Sequence, residues 1–258
     1  MKRELSYFIS PHGFGHATRT IAVLLKLQEQ IPDLVVRLIT TVPKDLFSEL
    51  SVSWTYHQIG CDIGLIQDDA FLPDIPATAA ALGGFFPLNR NLLQECERIC
   101  RTSSLVLSDI SPLGIAVADR LSKPSILIEN FTWDWIYTHL RQAECLHPFI
   151  PYLETIYDQT TYRVQTEPLC SKTDCDLNCG PIARRPRTLP EKTKKTIGSG
   201  GRKIVFVTLG GIPSSLPFID RLKKLDDFFF ILAGQKNSCR YGKNVLFLPY
   251  RSPLYHPD

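Results

Sequence analysis

The feature that most constrains this chain is a repeated alternation of short apolar runs with helix-patterned stretches. Residues 5–10 are an apolar run, 11–15 a loop carrying two glycines, 17–28 space Ile21, Leu24, Leu25 and Leu27 as a helix does, and 35–41 are rich in β-branched residues. Strand, helix and strand within roughly forty residues form a βαβ unit, whose parallel strands require a crossover connection. The pattern recurs as strand 105–107, helix 113–121, a break at Pro124 and strand 125–128. Apolar strands of this kind are buried on both faces, which predicts an α/β fold with a doubly wound parallel sheet. Residues 77–101 are helical in composition but contain Gly83, Gly84 and Pro87, so two helices or a kinked one are expected to line the cleft.

After a basic segment the alternation restarts, with strand 204–208, helix 218–225 and strands 228–232 and 245–248. The predicted organisation is a first Rossmann-like domain over 1–185, a basic linker over 186–202 and an incomplete second domain over 203–258. That second stretch is below the usual domain size, so a fragment or a remnant is expected, with apolar surface exposed on 228–232 and 245–248.

Charge and cysteine usage narrow the function classes. The net charge of +3 is uneven: residues 184–203 hold eight basic residues against Glu191 alone, a balance of +7, which leaves −4 for the rest. This segment is rich in Pro, Gly, Ser and Thr and lacks interleaved aromatics, so it reads as a solvated linker and no nucleic-acid partner is expected. Eight cysteines in a chain of 258 residues without an export signal point to reduced thiols. Cys170, Cys175 and Cys179 match no common zinc spacing, and neither metal nor cofactor is expected. No run approaches the ~20 apolar residues of a membrane span, and the amino terminus is too short in apolar character for a signal peptide. The expected location is the cytoplasm, with peripheral membrane association left open.

In open α/β sheets the ligand sits beyond the carboxyl ends of the strands. Two loops there carry chemistry. One holds His12, Gly13, Gly15, His16 and Arg19, where glycines let the chain turn into a helix whose free amides face the cleft; the other holds Asp109 at the lip of a buried strand. GFGHAT differs from a dinucleotide fingerprint, because Thr18 stands where the third glycine belongs and no acidic residue closes the strand 35–41. GSGGRK lacks the spacing of a phosphate-binding P-loop.

The stretches HGFGHATR, LVLSDISPLGIAVADRLSKPSILIENFTWDWIY, KIVFVTLGGIP and VLFLPY followed by HPD together resemble the GT-B fold nucleotide-sugar glycosyltransferases. Within that family they look most like the glycosyltransferase-like part of L-arabinokinase-type proteins and the peptidoglycan N-acetylglucosaminyltransferases. The resemblance implies inverting transfer from a nucleoside-diphosphate sugar to an acceptor hydroxyl, with His16 as general base and Asp109 holding its other ring nitrogen. It also implies acceptor or phosphate contacts from His12, Gly13, Gly15, Arg19, Asn130, Trp133 and Trp135, and amides at Gly210 and Gly211 for the leaving diphosphate. The residues by themselves leave plainer roles open: His16 bonded within its loop, Asp109 capping the following helix, Arg19 paired with a surface carboxylate, and both indoles packed in the first domain.

The sequence departs from the resemblance at its end, since Asp258 precedes the stretch where base and ribose contacts fall in that family. The expectation is a C-terminally truncated transferase or a relic of one, inactive as this chain alone. The alternative is a non-catalytic sugar- or nucleotide-binding module, or the regulatory half of a sugar-kinase system.

Overall fold

The computed structural model describes residues 3–185, 191, 195, 197–209, 216–235 and 243–249. They fall into two compact units, Met1–Ile66 with Ile75–Arg184, and Gln67–Asp74 with Arg185–Asp258.

The first unit is a seven-stranded sheet in the order β3-β2-β1-β6-β7-β8-β9, every neighbouring pair parallel. Its strands are β1 Arg3–Ile9, β2 Leu34–Ile39, β3 Ser53–His57, β6 Leu105–Asp109, β7 Ser125–Glu129, β8 Tyr162–Thr166 and β9 Leu177–Cys179. From β1 the chain moves outward through β2 and β3, then crosses back and proceeds outward on the other side from β6. The direction of winding therefore reverses between β1 and β6, and this is where an open α/β sheet forms its crevice. β1 and β6 are in register with Ile9 opposite Asp109, so their carboxyl ends are level.

The helices follow from the same pattern. α1, Gly15–Gln30, buries Ala17, Ile21 and Leu24 against the sheet. The segment with Gly83, Gly84 and Pro87 forms two helices, α2 Ile75–Phe85 and α3 Arg90–Cys100, the latter capped by the Asn89 side chain on the Asn91 amide. α4, Pro112–Arg120, opens with proline in its first turn, where the missing N–H costs nothing. A Cβ on Gly114 would lie 2.8 Å from the Phe8 side chain, so α4 lies closer to β1 than any other residue there would allow. α5 Trp133–His139 and α6 Ile150–Asp158 complete the cover, and Phe8, Ile110, Leu113, Leu127, Trp133 and Tyr157 belong to one core.

The second unit contains the antiparallel pair β4 Gln67–Asp69 and β5 Leu72–Pro73, and a parallel sheet of β10 Lys203–Val207, β11 Phe228–Gln235 and β12 Val245–Pro249. A short helix, α7 Ile219–Leu222, occupies part of the predicted 218–225 helix. The expectation that β11 and β12 expose apolar surface is not met. Phe229, Phe230, Leu232 and Val245 are all buried, and Leu216, Phe230, Leu232 and Val245 form the core of this unit. Much of the predicted linker, and both Gly210 and Gly211, lie outside the described residues. Among the described residues no helix is long and apolar enough to cross a membrane.

Candidate functional site

The carboxyl ends of β1 and β6 are tied by a backbone bond from the Ser10 amide to the Asp109 carbonyl, 3.2 Å. The chain then turns through Gly13, whose φ of 77° favours glycine, into α1. The helix starts without a side-chain cap. His16 and Arg19, three residues apart on α1, present on one face and converge on Asp109. His16 Nδ1 is 2.7 Å from Asp109 Oδ1. Arg19 grips the same carboxylate with both arms, Nε donating to Oδ2 at 2.8 Å and Nη2 to Oδ1 at 2.5 Å. Its remaining nitrogen, Nη1, donates to Asn130 Oδ1 at 2.8 Å. Asp109 is fully buried, and His16 and Arg19 are only 7% and 8% exposed.

Burial would raise the Asp109 carboxyl, but the charge and hydrogen bonds of Arg19, with the His16 bond added, outweigh it and hold the group below its ordinary value. Burial likewise works against the Arg19 charge, and Asp109 reverses that, raising the guanidinium further. The carboxylate does not cap α4, since its oxygens are taken by His16 and Arg19. The partner expected for Arg19 among plain roles was a surface carboxylate; the structure corrects this to a buried one.

A second carboxylate adjoins the site. Asp62, 6% exposed, follows β3 and accepts from Trp133 Nε1 at 3.2 Å, while its Oδ1 has no hydrogen-bond partner among the described residues. Burial pushes its carboxyl up to about 6, and Asp109 adds to this, against the nearby Ser10 hydroxyl, the Trp133 N–H and the nearby His16. Its loop is held by the Ser111 hydroxyl on the Cys61 carbonyl and the Tyr137 hydroxyl on the Gly64 carbonyl. Asp62 was missed in the sequence because β3 was missed. The signal was present, an acidic residue between glycines in Gly60-Cys61-Asp62-Ile63-Gly64.

The other predicted site residues divide. His12 lies edge-on to Trp133, ring centroids 5.0 Å apart, with its amide on Ser10 Oγ. Asn130 joins the site through Arg19. Trp133 is 2% exposed and stacks on Tyr137, so it has no open face for a sugar, and the packing role replaces the stacking one. Trp135 is half-buried and stacks on His139 at 4.2 Å. Gly15 is exposed, with nothing within 4 Å of an added Cβ, so no steric demand there calls for glycine.

Two parallel sheets, the first wound in both directions from a switch point that carries this cluster, make the fold one of the GT-B type. Similar solved structures include the glycosyltransferase SnogD from Streptomyces nogalater, 16% identical with a TM-score of 0.55, covering 96% of this chain and 71% of that one. UGT89C1 from Arabidopsis thaliana, complexed with quercetin, is 16% identical with a TM-score of 0.55, covering 98% of this chain and 70% of that one. TcCGT1 in complex with UDP is 12% identical with a TM-score of 0.57, covering all of this chain and 75% of that one. In sequence, the chain is similar to L-arabinokinase of Arabidopsis thaliana, 25% identical over 219 residues. That match covers 81% of this chain, which spans about a fifth of the length of the curated relative. No family model matches the chain.

Proposed function

We propose that this chain is a glycosyltransferase that moves a sugar from a nucleoside-diphosphate donor to an acceptor hydroxyl with inversion at the anomeric carbon. The observation that carries the reading is the 2.7 Å contact of His16 Nδ1 with Asp109 at the switch point of the first sheet. An imidazole so held has Nε2 as its second basic position, and a general base of this kind contributes about 10²–10⁴-fold to rate. The acceptor oxygen attacks the anomeric carbon as its proton passes to His16. The bond from that carbon to the diphosphate oxygen breaks, and the nucleoside diphosphate leaves with the electron pair. Asp109 steadies the imidazolium as it forms and stays ionised itself. The resemblance assigns the leaving diphosphate to Gly210 and Gly211, with His12 near the acceptor.

UDP-sugars are the first donors to test, because similar structures hold UDP and UDP-L-rhamnose. The full chain is incubated with UDP-, GDP- and ADP-sugars and a panel of hydroxylated acceptors, and release of nucleoside diphosphate is followed. Acceptor-dependent release that falls about 10²-fold or more in His16→Ala is expected. Equal release by the wild type and that variant would sink the general-base role.

A further inference from the structure

The resemblance implies a phosphate or acceptor contact for Arg19, yet each nitrogen of this nearly buried guanidinium already has a partner within the site. We propose that Arg19 is a positioning residue, whose two-armed grip keeps Asp109 an acceptor-only partner of His16 Nδ1, so that the neutral ring carries its proton there and leaves Nε2 as its basic nitrogen. The kinetic consequence rests on the general-base reading of His16; the protonation pattern does not.

The argument is one of proton counting. A carboxylate next to a histidine can share the pair's proton in two ways, as the anion facing an Nδ1–H or as the acid donating to a bare Nδ1. Arginine stays charged throughout, and its fork matches both carboxylate oxygens at once. Asp109 Oδ1 receives Arg19 Nη2 at 2.5 Å beside His16 Nδ1 at 2.7 Å, while Oδ2 receives Nε at 2.8 Å. Both Arg19 contacts bring donors and positive charge to the carboxylate, which favours its ionised form, and the hydrogen between it and the ring then belongs to Nδ1.

The same guanidinium sits 3.3 Å from Nδ1, and with the Nδ1 hydrogen directed at Asp109 that contact is one of charge and not a hydrogen bond. The other charged or titratable groups facing the cluster are Asp62, which couples to both His16 and Asp109, Glu129, which couples to Arg19, and Tyr7, which couples to Arg19 and Asp109. None of them touches Nδ1 or the Asp109 oxygens as Arg19 does. Asn130 at the end of β7 holds Nη1, which fixes the plane of the fork.

The test needs no substrate. The ring nitrogens of His16 are followed by ¹⁵N NMR of the full-length protein across pH, with His16→Ala supplying the assignment. In the wild type the neutral ring should carry its proton on Nδ1. In Arg19→Gln part of the neutral ring should move to the form protonated on Nε2, since the charge that favours ionised Asp109 has been removed. Arg19→Lys, which retains the charge but not the fork, should keep the Nδ1–H form.

A neutral wild-type ring protonated on Nε2 overturns the proposal, and this outcome stands even if Arg19→Gln fails to fold. So does an Arg19→Gln ring that keeps the wild-type proton position while only the melting temperature drops, the result of a merely structural role. Where transfer is detected, Arg19→Lys should lower kcat about tenfold with KM unchanged. An absence of transfer with the expected ring signals would defeat the enzymatic reading and leave this one intact.

Discussion

A buried carboxylate persists where something answers its charge, and Asp109 and Asp62 receive opposite answers within one site. Asp109 has a guanidinium on both oxygens; Asp62 has one indole N–H and an oxygen with no partner among the described residues. For Asp62 the folded value of about 6 lies above the ordinary 3.8, so folding takes up a proton between them. The stability this confers is fully present below about pH 4 and is lost as pH rises through about 6. Asp62→Asn keeps an acceptor for Trp133 and removes the charge. Its melting temperature should exceed the wild type by a margin that grows from pH 4 to 7 and then levels off, worth on the order of 2–3 kcal/mol. A margin independent of pH would show that Asp62 is not paying a desolvation cost. Asp109 runs the other way, its value depressed and its contribution present at neutral pH and lost in acid, so Asp109→Asn should destabilise at pH 7 and progressively less as pH falls. His16 and Asp109 were legible in the sequence, one in a glycine loop and one at a strand end. The partner of Arg19 was not, because it lies 90 residues away and nothing local distinguishes a buried carboxylate from a surface one.

Among elements, legibility followed burial. β1, β6 and β7 are largely buried and show as mainly apolar runs. β3 and β8 escaped, because Ser-Trp-Thr-Tyr-His and Tyr-Arg-Val-Gln-Thr are only partly buried and alternate polar with apolar. The turn from β6 into α4 is likewise set by tertiary structure: Ile110, a β-branched residue, has a φ of 52°, and its carbonyl accepts the Tyr157 hydroxyl at 2.8 Å. That turn follows Asp109 directly, so α4 and α6 both bear on the site. Two glycine substitutions separate close packing from helix propensity. Gly114→Ala places a methyl 2.8 Å from Phe8 in the core and should cost about 1–3 kcal/mol despite the gain in propensity. Gly84→Ala, exposed in α2 with nothing within 4 Å, should stabilise by about 0.5–1 kcal/mol. Thermal melts of the two variants check this, and a stabilised Gly114→Ala would mean that α4 can shift away from β1 at little cost.

At the scale of the whole molecule, each unit has its own apolar core, extensive in the first and built around Leu216, Phe230, Leu232 and Val245 in the second. Local opening follows the density of buried apolar contact, so amides of β10, β11 and β12 should exchange with solvent through lower-energy openings than those of β1, β6 and β7. Gly114→Ala then becomes a probe of coupling, since its cost arises entirely in the first unit. If the units open separately, that variant should lower protection in β1, β6 and β7 and leave β10–β12 unchanged. Uniform loss across both sheets would mean that they open as one. The proposed function adds a directional expectation. A nucleoside diphosphate held at Gly210 and Gly211 stabilises whichever unit it binds, by about 2.7 kcal/mol at a hundredfold excess over its Kd. UDP should therefore raise protection in β10–β12, in His16→Ala as well as in the wild type, because in the proposed reaction the histidine acts on the acceptor and not on the nucleotide. Protection gained only around β1 and β6 would move the nucleotide to the His16 cluster, and with it the division of labour between the two units.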